Sequence, residues 1–173
     1  MIIRQENSED YLEIYELVKK SFSTVSDGEV TEHEYLNELR KKKDKFIPEL
    51  SLVAENENKK IVGQIVLSKT QINTGNKEIT TLLLSPICVD PEYFRQGIAR
   101  SMMNEAFKIA LEMNYSAVFL CGDPNIYRKL GFRPTHEYGI YHINDKSKNA
   151  EWCMARELVN GALSNISGTI DIV

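Results

Sequence analysis

Val89-Asp90-Pro91-Glu92-Tyr93-Phe94-Arg95-Gln96-Gly97-Ile98-Ala99-Arg100 is the stretch on which the reading of this chain turns. Before it, residues 78–89 are β-rich. After it, Ala99, Met102, Met103, Ala106, Phe107, Ala110 and Leu111 recur at the spacing of one helix face. The stretch therefore leaves a strand, makes a tight polar turn at Asp90-Pro91 and enters the first turn of an amphipathic helix. The first amide groups of a helix lack internal acceptors and carry the positive end of its dipole, an arrangement that suits phosphate. Gly97 and Ala99 leave an anion room to approach the backbone, and Arg95 and Arg100 add positive charge at the rim. The same residues equally fit a strand-to-helix turn whose small side chains serve packing alone.

Outward from this turn the chain reads as α+β. Residues 2–4 form a short first strand, and Asn7-Ser8 offers an N-cap with Glu9 and Asp10 in the first turn. Tyr11, Ile14, Tyr15, Val18 and Phe22 then make a helical stripe. Residues 23–30 are a polar loop. Thr31 with Glu34 fits a capping box opening a polar surface helix. Three strand-like segments, 50–55, 61–67 and 78–89, are separated by turns and predict an antiparallel meander. Pro86 lies inside the last and predicts a bulge or an unpaired stretch. A short buried strand at 117–121, a turn at Gly122-Asp123-Pro124, a short helix over 125–130 ended by Gly131, and strands at 139–143 and 152–158 complete the order.

The 173 residues are the length of one domain, taken as 1–173, and can bury a core of ordinary size. A net charge of −4 argues against nucleic acid as the main partner. The basic run Arg40, Lys41, Lys42, Lys43 and Lys45 reads as a solvated helix end. No apolar run has the length of a membrane span, and no signal-peptide core is present, so the expectation is a cytoplasmic protein away from membranes. Cys88, Cys121 and Cys153 are widely spaced and odd in number. They read as buried free thiols in a reducing compartment, with no disulfide framework and no metal site.

Residues 89–100 resemble the acetyl-CoA pyrophosphate loop of the GNAT superfamily of N-acetyltransferases, whose pattern is Gln/Arg-x-x-Gly-x-Gly/Ala after a hydrophobic strand. Gly97-x-Ala99 matches its second half, while Phe94 stands where the pattern has Gln or Arg. A second stretch, Cys121-Gly122-Asp123-Pro124-Asn125-Ile126-Tyr127-Arg128-Lys129-Leu130-Gly131-Phe132, resembles the family's later Tyr-x-x-x-Gly-Phe motif in the form found in a group of small bacterial members. The C-terminal run from Trp152 to Leu158, with Gly161 and Gly168, is similar to the same group, so the likeness covers nearly the whole chain.

The resemblance implies the GNAT acyl-CoA N-acyltransferase fold: an α/β three-layer arrangement of a mixed, twisted sheet of about seven strands, splayed between strands four and five, with about four flanking helices. It implies acetyl-CoA as cosubstrate. Pantetheine would pair with the strand backbone at Cys88 and Val89, the pyrophosphate would sit on Arg95, Gln96, Gly97, Ile98, Ala99 and Arg100, and Asn125 would complete the cofactor site. Tyr127 would act as general acid toward the departing thiolate, since a phenol with a pKa of about 10 can protonate an alkyl thiolate of about 8.5. The base is open: His33, Glu34, His136 and Glu137 are candidates that also read as surface residues, and a relayed water fits as well. The acceptor is an unidentified amine, and the oligomer a monomer or homodimer. A CoA-binding sensor that keeps the fold without turnover is the alternative, as is an unrelated domain with a phosphate-binding helix start.

Overall fold

The computed structural model describes residues 1–24, 28–29 and 31–173; half of the 23–30 loop lies outside the described residues. The chain gathers into two compact units, one of residues 1–67 and 85–109, the other of residues 68–84 and 110–173. The architecture is α+β, with four α-helices and a mixed sheet of nine short and long strands among the described residues.

In the first unit, β1 (Ile2–Gln5) pairs antiparallel with β2 (Ser51–Glu55), which pairs antiparallel with the first half of β3 (Ile61–Asn73). Asn7 does cap, and with a full box: its side chain accepts from the Glu9 N–H at 2.9 Å, and its own N–H donates to Asp10 at 2.8 Å. That first turn is a 3-10 turn, and α1 (Tyr11–Ser23) follows. Its buried face is Ile14, Leu17, Val18 and Ser21, rotated from the expected stripe so that Tyr11 is exposed.

Helix α2 (Glu32–Lys41) differs from expectation at both ends. Thr31 makes no side-chain cap; instead its N–H donates to Glu32 at 3.1 Å, and Glu34 is exposed. The helix is no mere surface element, because His33, Leu36 and Leu39 are buried. With Ile14, Leu17, Val18, Val53, Ile61, Val66 and Cys88, Leu36 and Leu39 form this unit's core. Arg40, expected in solvent, is 7% exposed and grips a Glu6 carboxylate that is 3% exposed, with two bonds of 2.8 Å. A guanidinium buried so deeply needs such a partner, and Glu6 lies too far away in sequence for spacing to reveal it.

In the second unit, the first part of β4 (Glu78–Val89) runs parallel to β5 (Ala117–Cys121), with Leu82 opposite Val118 and Leu83 opposite Phe119. β5 pairs antiparallel with β8 (Cys153–Glu157) over its whole length, and β8 with β6 (Arg133–Pro134). β9 (Gly168–Ile170) joins β3 antiparallel and β7 (Ile140–His142) parallel. Phe119, Ile140, Cys153, Ala155, Leu163 and Ile170 centre its core. β6 and β9 escape sequence periodicity because two or three residues carry too short a pattern. Gly168 is required by close approach: a Cβ there would run into the Asn73 carbonyl. β4 extends through Pro86 as one strand, and the Ser85–Pro86 peptide is cis.

Helix α3 (Ile98–Glu112) buries Ile98, Met102, Met103, Ala106, Phe107 and Ala110, close to the periodic face read from sequence. Its approach to β3 depends on Gly63, where a Cβ would meet Met102 Cε at 2.9 Å. No helix among the described residues is long and apolar enough to cross a membrane.

Candidate active site

The turn at the end of β4 is held from below by side chains that come from far away in sequence. Cys88 and Val89 are buried, and the Val89 carbonyl accepts from Ser21 Oγ at 3.2 Å. Burial pushes the Cys88 thiol up to about 12, against modest relief from Ser21 and the Gln64 backbone, so it is a neutral thiol. The Asp90 N–H donates to the Val62 carbonyl at 2.8 Å. The Asp90 side chain, 3% exposed, accepts from Lys20 at 2.9 Å, Lys60 at 3.0 Å and the Glu92 N–H at 3.2 Å. Burial pushes its pKa up, but the two ammonium groups and the amide outweigh burial and hold the carboxyl below its ordinary value. The Asp90 carboxylate in turn raises the pKa of Lys60.

Above this clamp, Pro91–Tyr93 is a 3-10 turn with Asp90 as its cap. Asn56 donates to the Tyr93 hydroxyl at 3.0 Å, tying the turn to the β2–β3 connection. Phe94 is 50% exposed and leaves the core empty of its ring. Arg95 and Gly97 have left-handed φ angles of 62° and 77°, and the Gly97 carbonyl receives the first helical bond of α3 from Ser101 at 3.0 Å. Left-handed residues next to right-handed ones can turn successive N–H groups to one side, the arrangement of a concave nest that suits an anion. The following amides of Ile98, Ala99 and Arg100 belong to the first turn, whose N–H groups have no acceptor within the helix. The first turn of α3 carries no acidic residue. A Cβ on Gly97 would meet nothing within 4 Å, so the protein leaves the space over the nest open; the glycine is required by its φ. Arg95, Gln96 and Arg100 are exposed, while the Ile98 side chain is buried.

The second motif lies in the other unit. β5 ends at Cys121, and Asp123 caps α4 (Pro124–Tyr127) by accepting from the Asn125 N–H at 2.8 Å. The expected helix over 125–130 is thus a single α-turn, extended by a 3-10 turn over Arg128–Leu130 and stopped by Gly131 at φ 85°. Asn125 has its amide engaged by Asp123 and presents an exposed side chain. The Tyr127 ring packs edge-on against Phe132 at 5.8 Å, and the Phe132 N–H donates to the Tyr127 carbonyl at 3.1 Å. A Cβ on Gly122 would overlap the ring, with Tyr127 Cδ2 at 2.7 Å, so only glycine allows this seat. Burial raises the Tyr127 phenol, keeping it protonated at neutral pH.

The candidate bases differ in their surroundings. His33 is 5% exposed and edge-on to Tyr15 at 4.5 Å, a buried histidine where a surface one was expected, and its Nδ1 has no hydrogen-bond partner among the described residues. His136 Nε2 lies 3.2 Å from Glu151, which also holds Arg128. Glu137 pairs with Arg133 at 3.5 Å. Cys88, Val89 and residues 95–100 are therefore brought together on one turn of the first unit, and Asn125 and Tyr127 on one turn of the second. Sequence reasoning missed Lys20, Ser21 and Lys60, for which no local signal exists; the Asx cap of Asp90 was readable in Asp90-Pro91-Glu92.

Known proteins share both the sequence pattern and the fold. The acetyltransferase (GNAT) domain model matches residues 2–135. An uncharacterized N-acetyltransferase of Escherichia coli K12, YhbS, is 27% identical over 171 residues, covering 99% of this chain and 95% of that protein. The crystal structure of YhbS in complex with CoA superposes with a TM-score of 0.85 at 23% identity, over 99% of this chain and 89% of that one. A GNAT family acetyltransferase of Brucella melitensis in complex with acetyl-CoA gives 0.75 at 24% identity, over 99% and 95%. With the family model spanning most of its length, this chain belongs to the GNAT acetyltransferase family.

Proposed function

We propose that this protein is an acetyl-CoA-dependent N-acetyltransferase that moves the acetyl group directly to a primary amine, with Tyr127 as general acid. The observation that carries the reading is the nest at residues 95–100: left-handed Arg95 and Gly97, an acid-free first turn of α3 and open space over Gly97. It is built to receive a pyrophosphate by its backbone, and the YhbS and Brucella structures hold CoA and acetyl-CoA. In the reaction the neutral amine attacks the thioester carbonyl, the C–S bond breaks, and the thiolate takes its proton from the Tyr127 hydroxyl. The acceptor's surplus proton leaves to water, and the Tyr127 phenolate takes a proton back from water. Cys88, a buried neutral thiol, takes no covalent part.

The test has two arms. Acetyl-CoA at a hundredfold excess over Kd is expected to stabilise the wild type by about 2.7 kcal/mol, read as a rise in Tm. Gly97→Glu, which puts bulk and negative charge into the nest, abolishes the rise. A mutant with an undiminished rise places the cofactor elsewhere. A panel of primary amines is then screened for CoA release. Binding without turnover of any amine moves the assignment to a CoA sensor.

A further inference from the structure

Cys121 and Cys153 are directly opposite one another, Cα to Cα, on the antiparallel strands β5 and β8. Two backbone bonds fix the kind of pair they form. The Gly122 N–H donates to Trp152 O at 2.9 Å, and the Leu158 N–H donates to Ser116 O at 2.8 Å. Hydrogen-bonded pairs alternate with unbonded ones along an antiparallel ladder. The pairs 122/152 and 116/158 are bonded, so 121/153 is an unbonded pair. Unbonded pairs bring their Cα atoms to about 4.5 Å with the side chains on one face, inside the range of about 4.4–6.8 Å that a disulfide spans. Both thiols are free, Cys153 is fully buried in the core of this unit, and Cys121 is partly exposed beside it. The Cys121 thiol donates to the Ile172 carbonyl at 3.8 Å.

We propose that Cys121 and Cys153 form a reversible dithiol–disulfide site that a peroxide oxidises to an intramolecular cross-strand disulfide. Cys121 is the sulfur a small oxidant reaches. Its thiolate takes one oxygen of hydrogen peroxide, the O–O bond breaks and hydroxide leaves, giving a sulfenic acid on Cys121. The Cys153 thiolate attacks that sulfur, the S–O bond breaks, and the second hydroxide leaves. The two thiol protons convert both hydroxides to water, so two thiols and one peroxide give one disulfide and two waters. Two electrons pass from the sulfurs to the peroxide. The neighbouring Cys121 thiol holds the Cys153 pKa below its ordinary value, which favours Cys153 as the resolving thiolate. The neighbouring Cys153 thiol and burial both raise the Cys121 pKa, so the first step accelerates with pH. The disulfide encloses residues 122–152 and starts one residue before Gly122, on which the Tyr127 ring is seated. A dithiol reductant reverses it by exchange.

The full-length protein treated with hydrogen peroxide is expected to lose about 2 Da in intact mass and to fall from three titratable thiols to one under denaturing conditions. Dithiothreitol restores all three. Peptide mapping without reductant then shows the peptide of Cys121 linked to that of Cys153. Cys88→Ser keeps the mass loss, and Cys121→Ser abolishes it; should Cys121→Ser fold poorly, the linked peptides of the wild type decide alone. A gain of about 16 or 32 Da on Cys121 without linkage, a linkage through Cys88, or a covalent dimer would each overturn the assignment. None of these readouts depends on acetyl transfer, so the pair stands or falls apart from the proposed activity.

Discussion

Tyr127 is held by the packing of its ring. The ring is fixed against Phe132 and over Gly122, and burial favours the neutral phenol. Tyr127→Phe keeps the ring and removes only the hydroxyl, the proposed acid. Loss of a general acid costs about 10²- to 10⁴-fold, so kcat and kcat/KM are expected to fall together by tenfold or more while the acetyl-CoA Kd stays within about twofold. Full activity in the variant would mean that the thiolate leaves unassisted. The raised phenol pKa also sets the pH dependence. Below the ordinary value of 10 both folded and unfolded states hold the proton; above it the unfolded state releases it first, so this group's contribution to stability fades as pH rises past 10. Any high-pH decline in kcat that reports this phenol lies above 10 and is absent from Tyr127→Phe. Phe94 is the contrary case, with a side chain that is half-exposed. Phe94→Gln should change acetyl-CoA affinity less than about threefold, ~0.7 kcal/mol by titration calorimetry. A loss beyond tenfold would show the ring shaping the nest.

Between β4 and α3, the loop derives its shape from a charge clamp. Asp90 ends the strand, caps the 3-10 turn and joins Lys20 on α1 to Lys60 at the start of β3. Removing a capping side chain costs about 0.5–2 kcal/mol. Asp90→Ala should lower Tm accordingly and weaken acetyl-CoA binding by about tenfold, ~1.4 kcal/mol, because the left-handed turn at 95–97 loses its footing. An unchanged Kd alongside a lowered Tm would uncouple the clamp from the nest. The depressed Asp90 pKa gives the clamp an acid limit: its contribution is complete above the ordinary value of 3.8 and is lost as pH falls through the lower folded value. Wild type and variant should therefore converge in stability under strongly acidic conditions, as measured by denaturant titration.

At the scale of the whole molecule, a buried polar cluster stands among the aliphatic side chains of the first unit. Arg40 holds Glu6, its guanidinium lies 4.1 Å over the Tyr11 ring, and Gln64 donates to Glu6 at 3.2 Å and to Ser51 at 3.1 Å. Truncating one member of a buried pair strands the other's charge, at about 3–5 kcal/mol. Arg40→Ala is expected to destabilise by about 3 kcal/mol in chemical denaturation, and Arg40→Met with Glu6→Leu to recover most of that loss. A single variant within about 0.5 kcal/mol of the wild type would show that Glu6 finds water instead.

The sequence alone determined whatever is local and periodic. The apolar face of α3, the Asx caps at Asn7, Asp90 and Asp123, the stop at Gly131 and the small residues at 97 and 99 each act within one or two turns of chain, and the two family motifs are contiguous. That is why the fold class and the strand-to-helix nest were legible before any coordinates. The burial of His33 and Arg40, the short strands β6 and β9, the Lys20–Asp90–Lys60 clamp and the facing of Cys121 by Cys153 were decided only by the tertiary structure. Each depends on partners tens of residues away, with no spacing rule to connect them. A histidine or an arginine reads as surface until the element opposite supplies a ring or a carboxylate, and two cysteines read as isolated until strand register sets them side by side.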